Sequence, residues 1–254
     1  MKISQRLQHI NHMVQGHCDH IWDCCCDHGL LGMMLLKRNT ANQVHFVDCV
    51  APLMLQLTQD LQRFFPKQAF STGHSVAQNT LGISQWQVHC LNAADLPIEQ
   101  TDITNTHLII IAGVGGKLLI ELVQALISRH GSRQIEFILC PVHHNYYVRQ
   151  SLSALGLGLK SEHLLEENQR FYEILHVSTI AAPNGLSITA TGSLMWQMLD
   201  EANLPRAQRY LSQVIGHYQR MPAHKQTSEI IYAYQQQLAQ LLSEHSEHSE
   251  FECS

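Results

Sequence analysis

The chain has 254 residues, 45% of them hydrophobic, with 16 lysines and arginines against 21 aspartates and glutamates and a net charge of −5. That is ample apolar content for one domain of ordinary size plus an appendage, and the acidic balance excludes a global basic field, so any nucleic-acid contact must be a local patch. No apolar run approaches the ~18 residues a membrane span needs, and no signal-type segment follows Met1-Lys2-Ile3-Ser4-Gln5-Arg6, so a cytoplasmic protein is expected.

Within residues 1 to 16, Ile3, Leu7, Ile10 and Val14 recur at helical spacing with Ser4 as the cap, which predicts an amphipathic helix covering one end of the fold. Apolar runs then alternate with helical patterns. Strand Ile21 to Cys24, helix Gly29 to Lys37, strand Val44 to Val47, helix Pro52 to Phe64 and strand Gln87 to Leu91 come first. Strand His107 to Ile111, helix Lys117 to Arg129, strand Glu136 to Cys140 and helix Tyr146 to Leu155 follow. This βα alternation predicts a parallel, doubly wound sheet.

From Leu159 to Thr179 the pattern changes to two extended segments, Leu159 to Leu165 and Phe171 to Ser178, separated by the polar turn Glu166-Glu167-Asn168-Gln169-Arg170. Five parallel strands closed by an antiparallel pair is the Rossmann-like, seven-stranded layout of methyltransferases that use S-adenosylmethionine. Beyond Ala181-Ala182-Pro183-Asn184-Gly185 the helical period returns. Pro205 suits the first turn of a helix whose face carries Ala207, Tyr210, Leu211, Val214, Ile215, Tyr218 and Met221, and a second helix carries Ile230, Ile231, Tyr234, Leu238, Leu241 and Leu242. The division expected is a cofactor domain over 1–180, an antiparallel, coiled-coil-like helical domain over 185–243 and a disordered polar tail over 244–254.

Two strand-to-helix turns point at one crevice. Ile110-Ile111-Ala112-Gly113-Val114-Gly115-Gly116 ends a buried strand in a nearly bare backbone, and Asp23-Cys24-Cys25-Cys26-Asp27-His28-Gly29 ends an earlier one. In an open α/β sheet, ligands sit at that end of the strands. Asp23 ends the first strand, where it can meet the amino-acid end of a cofactor or brace the supporting loop. Asp48 ends the second, where it can accept ribose hydroxyls. Each can instead cap the helix or turn that follows. Asn92 follows the third strand and can bond an adenine amino group. The candidate cofactor residues are Asp23, Cys25, His28, Gly29, Asp48, Cys49, Asn92, Ala93, Ala112, Gly113 and Val114, with His28 alternatively packing against a neighbouring loop. Asp27, facing the same crevice, is the catalytic candidate, its alternative role being the cap of the next helix.

The eight cysteines imply no disulfide framework, and the consecutive Cys24, Cys25 and Cys26 cannot form a CxxC pair. Among 18 histidines, the place to look for a metal is His17-Cys18-Asp19-His20 beside His143-His144, but no metal is expected. Candidate nucleic-acid contacts are Arg6, Lys37, Arg38, Lys117, Arg149, Arg206, Arg209, Arg220 and Lys225, foremost Arg6, Lys117, Arg149 and the three arginines sharing the first C-terminal helix.

Ser4-Gln5-Arg6-Leu7, Asp23 through Gly29, Ile111 through Gly116, Leu139-Cys140-Pro141, Arg149 and Phe171-Tyr172-Glu173-Ile174-Leu175 together resemble the bacterial tRNA (adenine-22-N1)-methyltransferase family, from about residue 3 to residue 221. The resemblance implies a class I methyltransferase domain, S-adenosylmethionine as methyl donor, tRNA as partner and C-terminal helices that help hold it. Three positions depart from the family's pattern: Cys25 for glycine, Asn92 for aspartate and Val142 for asparagine. A cysteine at 25 is expected to crowd the cofactor or to require a backbone angle it adopts reluctantly. A methyltransferase with another RNA or small-molecule acceptor, and a non-catalytic cofactor- or RNA-binding homologue, are the alternative readings.

Overall fold

The computed structural model describes residues 3–66, 85–180, 186–197, 199, 203–222 and 224–251, with side chains described as far as 244. Its elements in chain order are α1 (Gln5–Met13), β1 (Cys18–Cys24), α2 (Leu30–Arg38), β2 (Ala41–Asp48), α3 (Ala51–Phe64), β3 (Gln85–Cys90), β4 (His107–Ala112), α4 (Gly116–His130), β5 (Ile135–Cys140), α5 (Asn145–Ala154), β6 (Gly158–Glu167), β7 (Arg170–Ser178), α6 (Leu204–Gln219) and α7 (Lys225–Phe251).

The strands form one seven-stranded sheet in the order β3-β2-β1-β4-β5-β7-β6. The first five are parallel, and β7 runs antiparallel to both β5 and β6. Parallel strands are buried on both faces, which is why β4, His107-Leu108-Ile109-Ile110-Ile111-Ala112, reads as a continuous apolar run rather than an alternation. One face carries Trp22, Ile109, Ile111, Phe137 and Leu139 under α4 and α5. The other carries Ile21, Val44, Phe46, Leu108 and Ile110 under α1, α2 and α3. Strand order reverses between β1 and β4, and there the connections leave to opposite faces and open a crevice.

Local chemistry sets the helix ends. Ser4 accepts the Leu7 amide at 3.2 Å and caps α1, as its position predicts. β1 begins three residues earlier than the apolar run suggests, because the polar Asp19 is anchored by Thr106, whose amide and hydroxyl both donate to its carboxylate at 2.9 Å.

The C-terminal helices pack as an antiparallel pair against the sheet rather than standing clear of it. Tyr210, Leu211, Ile215, Tyr234 and Leu241 bury together with Trp196, joined by Tyr146 of α5, Leu164 of β6 and Phe171 of β7. α7 continues through Phe251, eight residues into the stretch expected to be disordered. Gln240 donates to Glu244 one turn on, at 2.8 Å, the kind of i,i+4 pair that sustains a polar helix. The expected domain linker at 181–185 lies outside the described residues. Among the described residues no helix is long and apolar enough to cross a membrane.

Candidate active site

The crevice is walled on one side by the turn from β1 into α2. The Asp23 carboxylate is buried and accepts the Gly32 amide at 2.9 Å, tying the strand end to the first turn of α2. Burial pushes its pKa up to about 7, reinforced by the charge of Asp48 and opposed by the Gly32 bond. Asp23 thus braces the loop. Asp48 does similar work at the end of β2, accepting the Asp27 amide at 3.2 Å on one oxygen and the Val50 amide at 3.1 Å on the other, while remaining half-buried.

Within that turn, Cys25 and Asp27 both adopt left-handed backbone, with φ of 57° and 50°. The strain expected from a cysteine at 25 is therefore present, at roughly 1–2 kcal/mol for such a residue. The Cys25 side chain is half-buried and packs against the core cluster that carries Trp22 and Ile111. Its thiol is pushed up to about 11 by burial and by the nearby Asp48, which leaves it protonated and inert at neutral pH.

Asp27 caps nothing. α2 starts behind Gly29, itself left-handed at φ 66°, without a side-chain cap. The Asp27 carboxylate is two-thirds exposed, at 67%, with His28 Nε2 3.6 Å away. A carboxylate this exposed, with one histidine beside it, is accessible to a ligand from solvent. Asn92 spends its oxygen on the Ala94 amide at 2.9 Å, and the Ala93 side chain is buried in the core, so Ala93 has only its backbone to offer a ligand. The exposed Cys49 accepts the Cys90 thiol on its carbonyl at 3.9 Å.

The opposite wall is the turn from β4 into α4. Gly113 is left-handed at φ 87°, and among the described residues a Cβ there would come within 4 Å of the guanidinium nitrogens of Arg6, at 3.5 and 3.9 Å. The two glycines that follow are small for another reason. A Cβ at Gly115 would lie 2.6 Å from the His143 ring, and one at Gly116 2.7 Å from the His143 carbonyl. The loop after β5 packs onto this turn, pinned by the Val142 amide donating to the Val114 carbonyl at 2.9 Å. His143 and His144 hydrogen-bond through their Nδ1 atoms at 2.7 Å. The His144 pKa is lowered by burial and by His143. Sequence reading viewed this pair only as a place to look for metal, and among the described residues no group of three or more His, Cys, Asp or Glu is placed to hold a metal ion.

The expected nucleic-acid contacts divide. Arg149 is a correction: it is fully buried, donating to Glu173 at 2.5 Å and to Glu162 at 2.6 Å, and Tyr210 of α6 donates its hydroxyl to the same Glu173. Burial opposes its charge, but the two carboxylates outweigh that and hold it ionised. It reaches no external phosphate and instead ties α5, β6, β7 and α6 together. Lys117 and Arg220 are exposed. Arg206, Arg209 and Arg220 fall within roughly 60° of one another at 3.6 residues per turn. Arg209 is paired with Glu166 at 2.5 Å. Arg206 is held by Asn203 at 2.7 Å beside a cleft of about 380 Å³ that it lines with His9 and His163.

A feature sequence reading missed crosses four strands. His20, His45 and His89 are linked in a row, at 3.0 and 2.9 Å, with Asn105 bonding the His20 end at 3.1 Å. Trp22 stacks on His45 at 3.7 Å and donates to His107 at 3.2 Å. Only strand register aligns these residues, which lie far apart along the chain, so the available signal was a histidine just before the first predicted strand and one within each of the next three.

Fold and crevice together are those of a class I methyltransferase. A family model described as a methyltransferase domain matches residues 3–175, and the chain belongs to that family. No curated protein matches. Among solved structures, a Streptococcus pneumoniae protein in complex with S-adenosyl-L-methionine is similar at TM-score 0.67 and 18% identity, over 93% of this chain and all of that one. The B. subtilis M1A22 tRNA methyltransferase TrmK is similar at TM-score 0.60 and 16% identity, covering 95% of this chain and 98% of its own. M. capricolum TrmK, bound to S-adenosyl-homocysteine, is similar at 0.59 and 12%, covering 96% and 97%. Identities this low establish the shared fold.

Proposed function

We propose that this protein is a cytoplasmic, S-adenosylmethionine-dependent tRNA methyltransferase acting on N1 of an adenine, the one at position 22 by resemblance. The observation that carries the reading is the strand reversal, where the neighbouring parallel strands β1 and β4 end in a turn bearing the exposed carboxylate of Asp27 and in the bare turn at Gly113. The residues present fit the cofactor: among the described residues no atom nearer than Arg6 meets the space a side chain at Gly113 would take, and Asp48 stands at the end of β2 with each oxygen accepting a single amide. Asp23, Cys25, His28, Gly29, Asp48, Cys49, Asn92, Ala93, Ala112, Gly113 and Val114 would hold it, Asp23 by bracing the loop and Ala93 through its backbone.

When bound, the cofactor supplies an electrophilic methyl group on sulfur. Adenine N1 already carries a lone pair, so the protein's task is positioning and stabilisation of the positive charge that the base acquires. Asp27 accepts a hydrogen bond from the N6 amino group, which becomes more acidic as that charge develops, and offers a site for the proton lost afterwards. Because N1 lies on the Watson–Crick edge, the base must leave its pairing or stack before it reaches the crevice. The 1–180 segment forms the cofactor domain, and the helices over 185–243 supply Arg206, Arg209 and Arg220 alongside Arg6 and Lys117 as contacts to tRNA.

The test is incubation of the purified protein with labelled S-adenosylmethionine and tRNA from a strain lacking the gene, followed by nucleoside analysis. Label in 1-methyladenosine is expected. No incorporation, with cofactor binding intact, overturns the reading in favour of another acceptor or a non-catalytic binder.

A further inference from the structure

We propose that Arg6 and Tyr172 form an oxyanion-receiving subsite beyond Gly113, taking either the free carboxylate of the cofactor or a phosphate of the substrate RNA. The inference deepens the methyltransferase reading above and rests on it. The Arg6 guanidinium lies over the Tyr172 ring, 5.0 Å from its centroid, and both side chains are half-buried. Its Nη2 is the nearest atom, among the described residues, to where a Gly113 side chain would begin, at 3.5 Å, so the cation borders the turn after β4. Its field reaches the end of β5 as well: burial pushes the Cys140 thiol up to about 12, and Arg6 is the group that pulls against it.

The arginine is held in place from behind. Glu167, at the end of β6, accepts the Gln5 amide at 2.6 Å and the Arg6 amide at 3.4 Å, and Ser4 caps the same turn. That carboxylate is spent on backbone. Among the described residues the guanidinium itself has no hydrogen-bond acceptor and no ion-pair partner. Five donors on a half-buried, fixed plane are a receptor waiting for an acceptor from outside, and a planar cation with one face stacked presents its edge, the geometry that binds a carboxylate or phosphate. Direct stacking on the methylated ring is disfavoured, because a guanidinium there would oppose the charge that develops on the base. Arg6 is therefore the contacting group, and Tyr172 is a positioning residue that sets its orientation.

The test is calorimetric titration of the full chain and its Arg6→Gln, Arg6→Lys and Tyr172→Leu variants with S-adenosylhomocysteine and, separately, with unmodified tRNA transcript at two salt concentrations. Arg6→Gln is expected to weaken one ligand about ten- to a hundredfold, the range for a hydrogen bond to a charged group. Tyr172→Leu weakens the same ligand a few-fold, and Arg6→Lys falls between. A loss confined to S-adenosylhomocysteine assigns the carboxylate. A loss confined to tRNA, with the salt slope reduced by about 0.9, assigns a phosphate. Affinities for both ligands within twofold of wild type in folded Arg6→Gln overturn the subsite. Should that variant fail to fold, the same result in folded Tyr172→Leu overturns it. A wild-type chain that binds neither ligand overturns the methyltransferase reading and the subsite with it, whereas unchanged variants of a binding wild type sink the subsite alone.

Discussion

Replacing His45 by phenylalanine should make the protein less sensitive to acid. His45 is buried in the middle of the histidine row, and burial, reinforced by His89, His20 and His107, lowers its pKa to about 2 from the ordinary 6.5. A group whose folded pKa is depressed is neutral in the native state, so protons bind preferentially to the unfolded chain as soon as the pH drops below 6.5. The stability this represents is intact above pH 6.5 and is lost progressively down to the folded pKa. At pH 5 the unfolded histidine has gained 1.5 pH units of protonation at 1.36 kcal/mol each, or about 2 kcal/mol. Phenylalanine keeps the stack on Trp22 and removes the titration. Urea unfolding at pH 7.5 and pH 5, for wild type and variant, gives the double difference directly. Wild type should lose about 2 kcal/mol more than His45→Phe over that interval. Equal losses in the two proteins would refute the argument, whatever their absolute stabilities.

Three further outcomes follow from the same structure. Arg149→Met should destabilise by about 3–5 kcal/mol, measured by denaturant unfolding, because it strands Glu162 and Glu173 in the interior; a stable variant with weakened tRNA binding would restore Arg149 as an RNA contact. Cys25→Gly should leave stability within about 1 kcal/mol of wild type, since relief of left-handed strain is offset by glycine's extra chain entropy, and a larger loss in thermal unfolding would contradict the φ-based account. Asp27→Ala should abolish methyl transfer to tRNA while S-adenosylhomocysteine affinity stays within a few-fold of wild type, and a fully active variant removes Asp27 from the mechanism.

Sheet and crevice were legible in the sequence for a physical reason. Strands buried on both faces must be apolar throughout, so β4 and β5 stand out as runs, and the glycine at 113 marks where the backbone turns through a positive φ. Arg149 was misread because an arginine's type does not disclose its burial; its partners Glu162 and Glu173 come from strands that only the antiparallel pairing brings beneath α5. The need for glycine at 115 and 116 was not legible, because the His143 ring and carbonyl that a Cβ there would meet come from the loop after β5. The histidine row was invisible for the converse reason, since pairing of β1 with β2 and β4 had to be known before residues on different strands could be placed side by side.

The cysteine at 25 bears on function through what fixes the turn around it. Left-handed backbone at Cys25 and again at Asp27 costs roughly 2–4 kcal/mol together, so the conformation persists only if its surroundings over-determine it. They do: the Cys26 amide donates to the Val47 carbonyl at 3.2 Å, the Asp27 amide to Asp48 at 3.2 Å, and the Gly29 amide to the Cys26 carbonyl at 2.8 Å. Three bonds, two of them from β2, impose the path of the chain without reference to the side chain at 25. Substituting cysteine for glycine therefore raises the cost of the turn and leaves its shape. The Cys25 side chain turns into the core, and Asp27 keeps its exposed place at the rim. The cost that cysteine adds at this position is thus borne by hydrogen bonds that fix the turn whatever side chain stands at 25.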